Sequence, residues 1–231
     1  LLASQQDASG SEPAAEPTAE PVSGGKLEAK QQNIHFVESY APYVYGYAKV
    51  ENVGDAEIQL DDCLLQVYDE AGTLLTMKDY GDANAAYLKP GEYTYLTVYT
   101  DVDEGTAAKA ELSFTSRKDM YSTNNRLPVT TDLQLNVEEG WRTRNYMFAT
   151  ITNDTDAPVY DMEVVLALLD AEGNILYVQD KSFYDCSIVP GDSLIVRLDI
   201  ESDFMEYFAA NNLVPASVDA IAFVEVETSD W

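Results

Sequence analysis

Residues 47–76 read YAKVENVGDAEIQLDDCLLQVYDEAGTLLT, and residues 148–177 read FATITNDTDAPVYDMEVVLALLDAEGNILY. At a constant, ungapped offset of 101, Ala48, Asn52, Asp55, Ala56, Leu65, Asp69, Gly72 and Leu75 recur as Ala149, Asn153, Asp156, Ala157, Leu166, Asp170, Gly173 and Leu176. Farther on, Pro90-Gly91 recurs as Pro190-Gly191. Solenoid units repeat every 20–50 residues or so. The period here is longer and fits a duplicated domain of ordinary size.

Around these two stretches apolar and polar residues alternate with period two, and β-branched and aromatic residues abound, which is the pattern of half-buried strands. The alternation predicts strands near 34–40, 43–52, 58–69, 73–79, 92–101 and 108–115, and again near 132–138, 144–153, 159–170, 174–181, 193–201 and 217–227. Turn signals punctuate them. Asp69 and Asp170 can accept from turn amides, and Gly72 and Gly173 can supply the positive φ that closes a short bulged hairpin. One helix is expected in the second copy, with Asp203 capping its start, Glu206 completing a capping box and Asn211-Asn212 ending it. Short antiparallel strands at such spacing predict an all-β fold of two tandem sandwiches, at 32–116 and 132–231, joined by a linker at 117–131. The linker carries Arg117, Lys118 and Arg126, which could pin two acidic domains together.

Leu65-Gln66-Val67-Tyr68-Asp69 and Leu166-Ala167-Leu168-Leu169-Asp170 resemble the F-x-L-Y-D signature of the FxLYD domain family. The upstream Ala48-x-Val50-x-Asn52 and Ala149-x-Ile151-x-Asn153, and the downstream Pro90-Gly91-Glu92 and Pro190-Gly191-Asp192, are similar to that family's other landmarks. The resemblance implies immunoglobulin-like antiparallel β-sandwiches from exported bacterial lipoproteins, modules usually without an assigned activity. Alternation gives the motif a physical meaning of its own. Cys63, Leu65 and Val67 match Val164, Leu166 and Leu168, so this shared face is the core.

The 231 residues carry 13 basic and 41 acidic side chains, a formal charge of −28. Such a chain repels nucleic acid and anionic lipid surfaces. Residues 1–31 are rich in Ala, Ser, Gln, Glu, Pro and Gly, a composition that cannot bury enough surface to order itself, and read as a disordered tether. The start at Leu1-Leu2-Ala3 reads as a mature chain whose export signal has been removed. The tail resembles the tether of bacterial surface lipoproteins, which implies an N-terminal lipid anchor at the cell envelope; the alternative is the disordered terminus of a secreted protein. Cys63 aligns with Val164 and Cys186 with Ala86, which rules out a duplicated disulfide inside each domain. Two separate thiols are expected, Cys63 buried and Cys186 in a loop.

No nucleophile elbow, phosphate loop or CxxC is present, and His35 is the lone histidine, so no enzyme and no cofactor are expected. The acidic runs at 101–105, 154–156 and 199–203 complete no EF-hand pattern and read as solvated surface. A calcium- or small-ligand-binding accessory role is the alternative they leave open. The tyrosines are the best candidates for contact. Tyr43, Tyr45 and Tyr47 share one face of a strand, and Tyr93, Tyr95 and Tyr99 share one face of another. The repeat alignment puts Ala48, Val50, Leu96 and Val98 inward, which turns all six rings outward onto one sheet. That face could meet the second domain, a second copy, or a protein or glycan partner. The expectation is a non-catalytic binding or spacer module at the cell surface, working through these tyrosines.

Overall fold

The computed structural model describes residues 24–38, 42–83, 85–118 and 122–227. The fold is all-β apart from one short helix, and its sheets sort by repeat copy. The first half holds β1 (Leu27–Glu38), β2 (Pro42–Asn52), β3 (Ile58–Tyr68), β4 (Leu74–Lys78), β5 (Asp82–Ala83), β6 (Tyr87–Leu88), β7 (Tyr93–Asp101) and β8 (Lys109–Arg117). One sheet runs β1-β2-β7-β5; in the other, β3 pairs with β4, β6 and β8. Next come β9 (Ser122–Leu127), β10 (Val129–Glu139), β11 (Arg142–Thr152), β12 (Val159–Leu169), β13 (Ile175–Ile188), β14 (Ser193–Asp199), α1 (Ser202–Ala210) and β15 (Ser217–Glu227). They form a three-stranded sheet β10-β11-β14 and a four-stranded sheet β13-β12-β15-β9. Every pairing is antiparallel.

The repeated residues are fasteners at equivalent points. Asn52 and Asn153 are fully buried. Asn52 Nδ2 donates to the carbonyls of Ala56 and Leu88 at 2.8 Å each, and its Oδ1 accepts from the Gly54 amide at 3.0 Å. Asn153 Nδ2 donates to Ala157 and Ile188 at the same 2.8 Å, and its Oδ1 accepts from the Thr155 amide and hydroxyl. The Pro-Gly turns close on the same residues, since the Gly91 amide donates to the Asn52 carbonyl and the Gly191 amide to the Asn153 carbonyl, both at 2.8 Å. Gly72 and Gly173 take the positive φ the hairpins need, at 81° and 85°. Asp69 and Asp170 accept turn amides, which holds both carboxyls below the ordinary value despite some desolvation.

Alternation holds in the core. Val44, Ala48, Val50, Leu60, Cys63, Leu65, Val67, Leu96 and Val98 form one buried cluster in the first half. Leu166 belongs to a second, larger cluster. Leu65 and Leu166 are both fully enclosed, so replacing either with alanine is expected to cost about 2–5 kcal/mol through lost packing and a cavity. Chemical denaturation of the two variants measures this, and a loss below about 1 kcal/mol at both sites would mean the strand faces are reversed.

Several boundaries differ from expectation. The expected tether at 1–31 overlaps β1, which begins at Leu27; residues 1–23 lie outside the described residues. Much of the expected linker is strand, with β9 lying beside β15 in the second half's sheet. Helix α1 spans Ser202–Ala210 with Glu201 at its N-cap and no capping side-chain bond; Asp203 sits inside the first turn. Both cysteines are free, but Cys186 lies within β13, because that strand runs on where the first copy breaks into β4 and β6.

Candidate functional site

All six tyrosines stand on the β2–β7 ladder, where Tyr45 pairs with Tyr99, Tyr47 with Thr97, and Lys49 with Tyr95. They point away from their own core, as alternation requires. They do not all reach solvent. Tyr47 and Tyr95 are fully buried and belong to the larger cluster, whose other members come mainly from the second half; Tyr45 and Tyr93 pack on it from the edge. The second half therefore occupies most of the face. Tyr43 is half-buried, and only Tyr99, at 52 % exposure, is open to solvent.

A carboxylate that the sequence reading missed holds one end of this contact. Asp219, on β15, accepts from Tyr95 Oη at 2.6 Å and Tyr93 Oη at 2.9 Å, and pairs with Lys49 Nζ at 3.2 Å. Lys49 Nζ also lies 3.7 Å from the Tyr93 ring centroid. Burial alone would raise the Asp219 carboxyl. The Tyr95 and Tyr93 hydrogen bonds and the Lys49 charge overcome that effect and leave it below the ordinary range. Desolvation and the neighbouring carboxylate push both tyrosine hydroxyls far up, so they remain donors at all ordinary pH. Arg126, from the expected linker, bonds the Tyr93 carbonyl at 2.8 Å and lies 4.0 Å from Glu92. Arg117 instead turns back to Gln59 and Asp61 in the first half.

Strand β1 fastens the edge of the sheet. Its alternate residues Gln31, Asn33 and His35 face the start of β13. Gln31 donates to the Gly173 carbonyl and accepts from the Ile175 amide, at 2.8 and 3.0 Å. Asn33 Nδ2 and His35 Nε2 both donate to the Ile175 carbonyl, at 2.8 and 3.1 Å. His35 Nδ1 then accepts from Tyr207 Oη of α1 at 3.3 Å, and the imidazole sits among the rings of Tyr47, Tyr207 and Phe208. Tyr45 meets Phe204 edge-on at 4.8 Å. Burial, with the Glu201 charge second, pushes the Tyr45 hydroxyl up to about 12.

Burial lowers the His35 pKa, so the folded state favours the neutral ring. A depressed value means that this contribution is intact above the free-histidine value of about 6.5 and is lost as pH falls from there through the folded value. Titrating thermal stability from pH 7.5 to 5 should show a decline that His35→Gln reduces. Parallel curves for the two proteins would remove His35 from the account.

Among the described residues no three His, Cys, Asp or Glu side chains gather into a metal-holding group, and no helix is long and apolar enough to cross a membrane. Of the acidic runs, Asp199 pairs with Arg144, while Asp103, Glu104, Asp154 and Asp156 are exposed. No protein-family model matches the chain, and a search of curated proteins finds no relative.

What the second half leaves open is the far end of the tyrosine ladder. Tyr99 stacks on Tyr45 at 5.4 Å and meets Tyr43 edge-on at 6.3 Å. Beside it lies a cleft of about 260 Å³ lined by Lys78, Tyr80, Asp82, Thr97, Tyr99 and Asp101, with Tyr80 69 % exposed.

Proposed function

We propose that this chain is a non-catalytic binding and spacer module of an exported, envelope-anchored protein, built from two immunoglobulin-like units of the FxLYD type. In this reading the tyrosine face has two roles. Its buried part, Tyr47 and Tyr95 with Tyr45 and Tyr93, fixes one unit on the other. Its open end, Tyr43 and Tyr99, meets a protein or glycan partner. The observation that carries the reading is the clasp itself. Asp219 with Lys49 and two tyrosines on β2 and β7, and Gln31, Asn33 and His35 on the edge strand β1, join the units across the width of a sheet. A stiff frame presents the exposed Tyr99 ring beside the half-buried Tyr43 at low entropic cost, because tyrosine offers a large contact area with few rotatable bonds. The acidic surface supports the reading by keeping the chain off nucleic acid and anionic membranes.

Co-sedimentation of the chain with envelopes from the producing cell tests this. The Tyr43→Ser/Tyr99→Ser variant should melt within a few degrees of the parent and lose most of its sedimentation. Equal sedimentation of parent and variant, or none by either, contradicts the reading. Protease treatment of the envelopes separates the partner classes, since a glycan survives it and a protein does not.

A further inference from the structure

Gly81 sits where a side chain could not. A Cβ there would lie 2.6 Å from both Cys63 Sγ and the Thr97 carbonyl oxygen, and 2.9 Å from Val98. Only glycine lets the segment after β4 press flat against β7, where Asp82 then pairs with Thr97. Continuing that antiparallel register past the end of β5 brings Tyr80 level with Tyr99, and residues directly opposite in such a ladder project from the same face. The two rings line one cleft with Lys78, Asp82, Thr97, Thr100 and Asp101. Its volume, about 260 Å³, is just under the range of roughly 300–1,000 Å³ that holds drug-sized ligands. There is room for one ring-sized group with the remainder of a chain lying outside.

Resting on the reading of the open tyrosine end as a contact surface, we infer that the Tyr80–Tyr99 cleft binds one sugar ring of a neutral glycan. A pyranose has an apolar C–H face that suits an aromatic ring and a rim of hydroxyls that both donate and accept. The cleft supplies both kinds of partner. Tyr80 and Tyr99 are the platforms, Lys78 is a donor, Asp82 and Asp101 are acceptors, and the Thr97 hydroxyl does either. Lys78 is outnumbered by Asp82 and Asp101, and burial and the Asp180 charge raise the Asp82 carboxyl, so the cleft accepts a negative group poorly. A purely apolar ligand would leave the polar groups of the cleft unmet.

Ligand-observed saturation-transfer NMR on the whole chain tests the inference. The probes are neutral trisaccharides with glucose, galactose, mannose and N-acetylhexosamine ends, with tetralysine as the competing class. At least one trisaccharide should bind. Tyr80→Ala should weaken it at least tenfold with an unchanged melting temperature, and Asp82→Asn should weaken it less. Binding of tetralysine alone, binding of none, or equal binding by Tyr80→Ala overturns the sugar assignment. If the trisaccharides fail while envelope sedimentation still depends on Tyr43 and Tyr99, only the ligand class is wrong. If both fail, the surface reading falls with it.

Discussion

Asn153→Ala is expected to be among the most destabilising single substitutions in the chain, at about 2–4 kcal/mol, and Asn52→Ala should match it. Truncation takes Nδ2 from the Ile188 and Ala157 carbonyls and Oδ1 from the Thr155 amide and hydroxyl, around a fully buried side chain, and Ala157 keeps only the Thr155 hydroxyl at 2.9 Å. The buried Ile188 carbonyl left without this partner costs about 1–3 kcal/mol, and the Ala157 and Thr155 groups, which lie nearer solvent, add less. The change should lower the melting temperature by roughly 10 °C in a protein of this size. Asn52→Ala removes the equivalent set around Ala56, Leu88 and Gly54. Scanning calorimetry and urea titration measure both. A cost under about 1 kcal/mol would mean that the turns close without the asparagines.

Asp219→Ala should instead release one half from the other. It leaves Lys49 without its ion pair and the Tyr93 and Tyr95 hydroxyls without an acceptor, in a contact where the carboxylate side chain retains 29 % exposure. Removing one partner of a buried pair costs about 3–5 kcal/mol, and the remaining exposure puts this case lower, at about 2–4 kcal/mol. The loss falls on the joint and leaves both internal cores untouched. Calorimetry should therefore replace one transition with two, and the amides of β13 facing β1 should exchange faster. A single, uniformly shifted transition would show that Asp219 stabilises only its own half.

The repeat made the two cores legible because alternation and register fix which side chains face inward. Leu65 and Leu166 were readable from the sequence alone. The joint was harder to see. Its β1 contribution is polar, and Gln31 read as the end of a tether and Asn33 as a residue ahead of the first strand, because their fastening role depends on a strand some 140 residues away. Yet one signal was present. In β3, Cys63 to Tyr68 alternate, as in a sheet with one open face; in β12, Val164 to Leu168 run apolar without a break and all are buried. A strand apolar on both faces is covered on both faces. That difference between aligned copies marks the second half as the one that lies under the tyrosines. Asp219 gave no such sign, since an acidic residue among 41 is distinguished only by what faces it. Tyr80 escaped notice because it lies outside the strands whose alternation exposed the other six.

The central claim is that the tyrosine face joins the two halves into one rigid body. Residual dipolar couplings from backbone amides of both halves, measured in one aligned sample of the whole chain, test it directly. One alignment tensor of the same magnitude and orientation should fit both halves in the frame described here, and two distinct tensors should appear for Asp219→Ala. Separate tensors in the unmodified chain would contradict the account, because the tyrosines would then be free to meet solvent and the clasp would not hold.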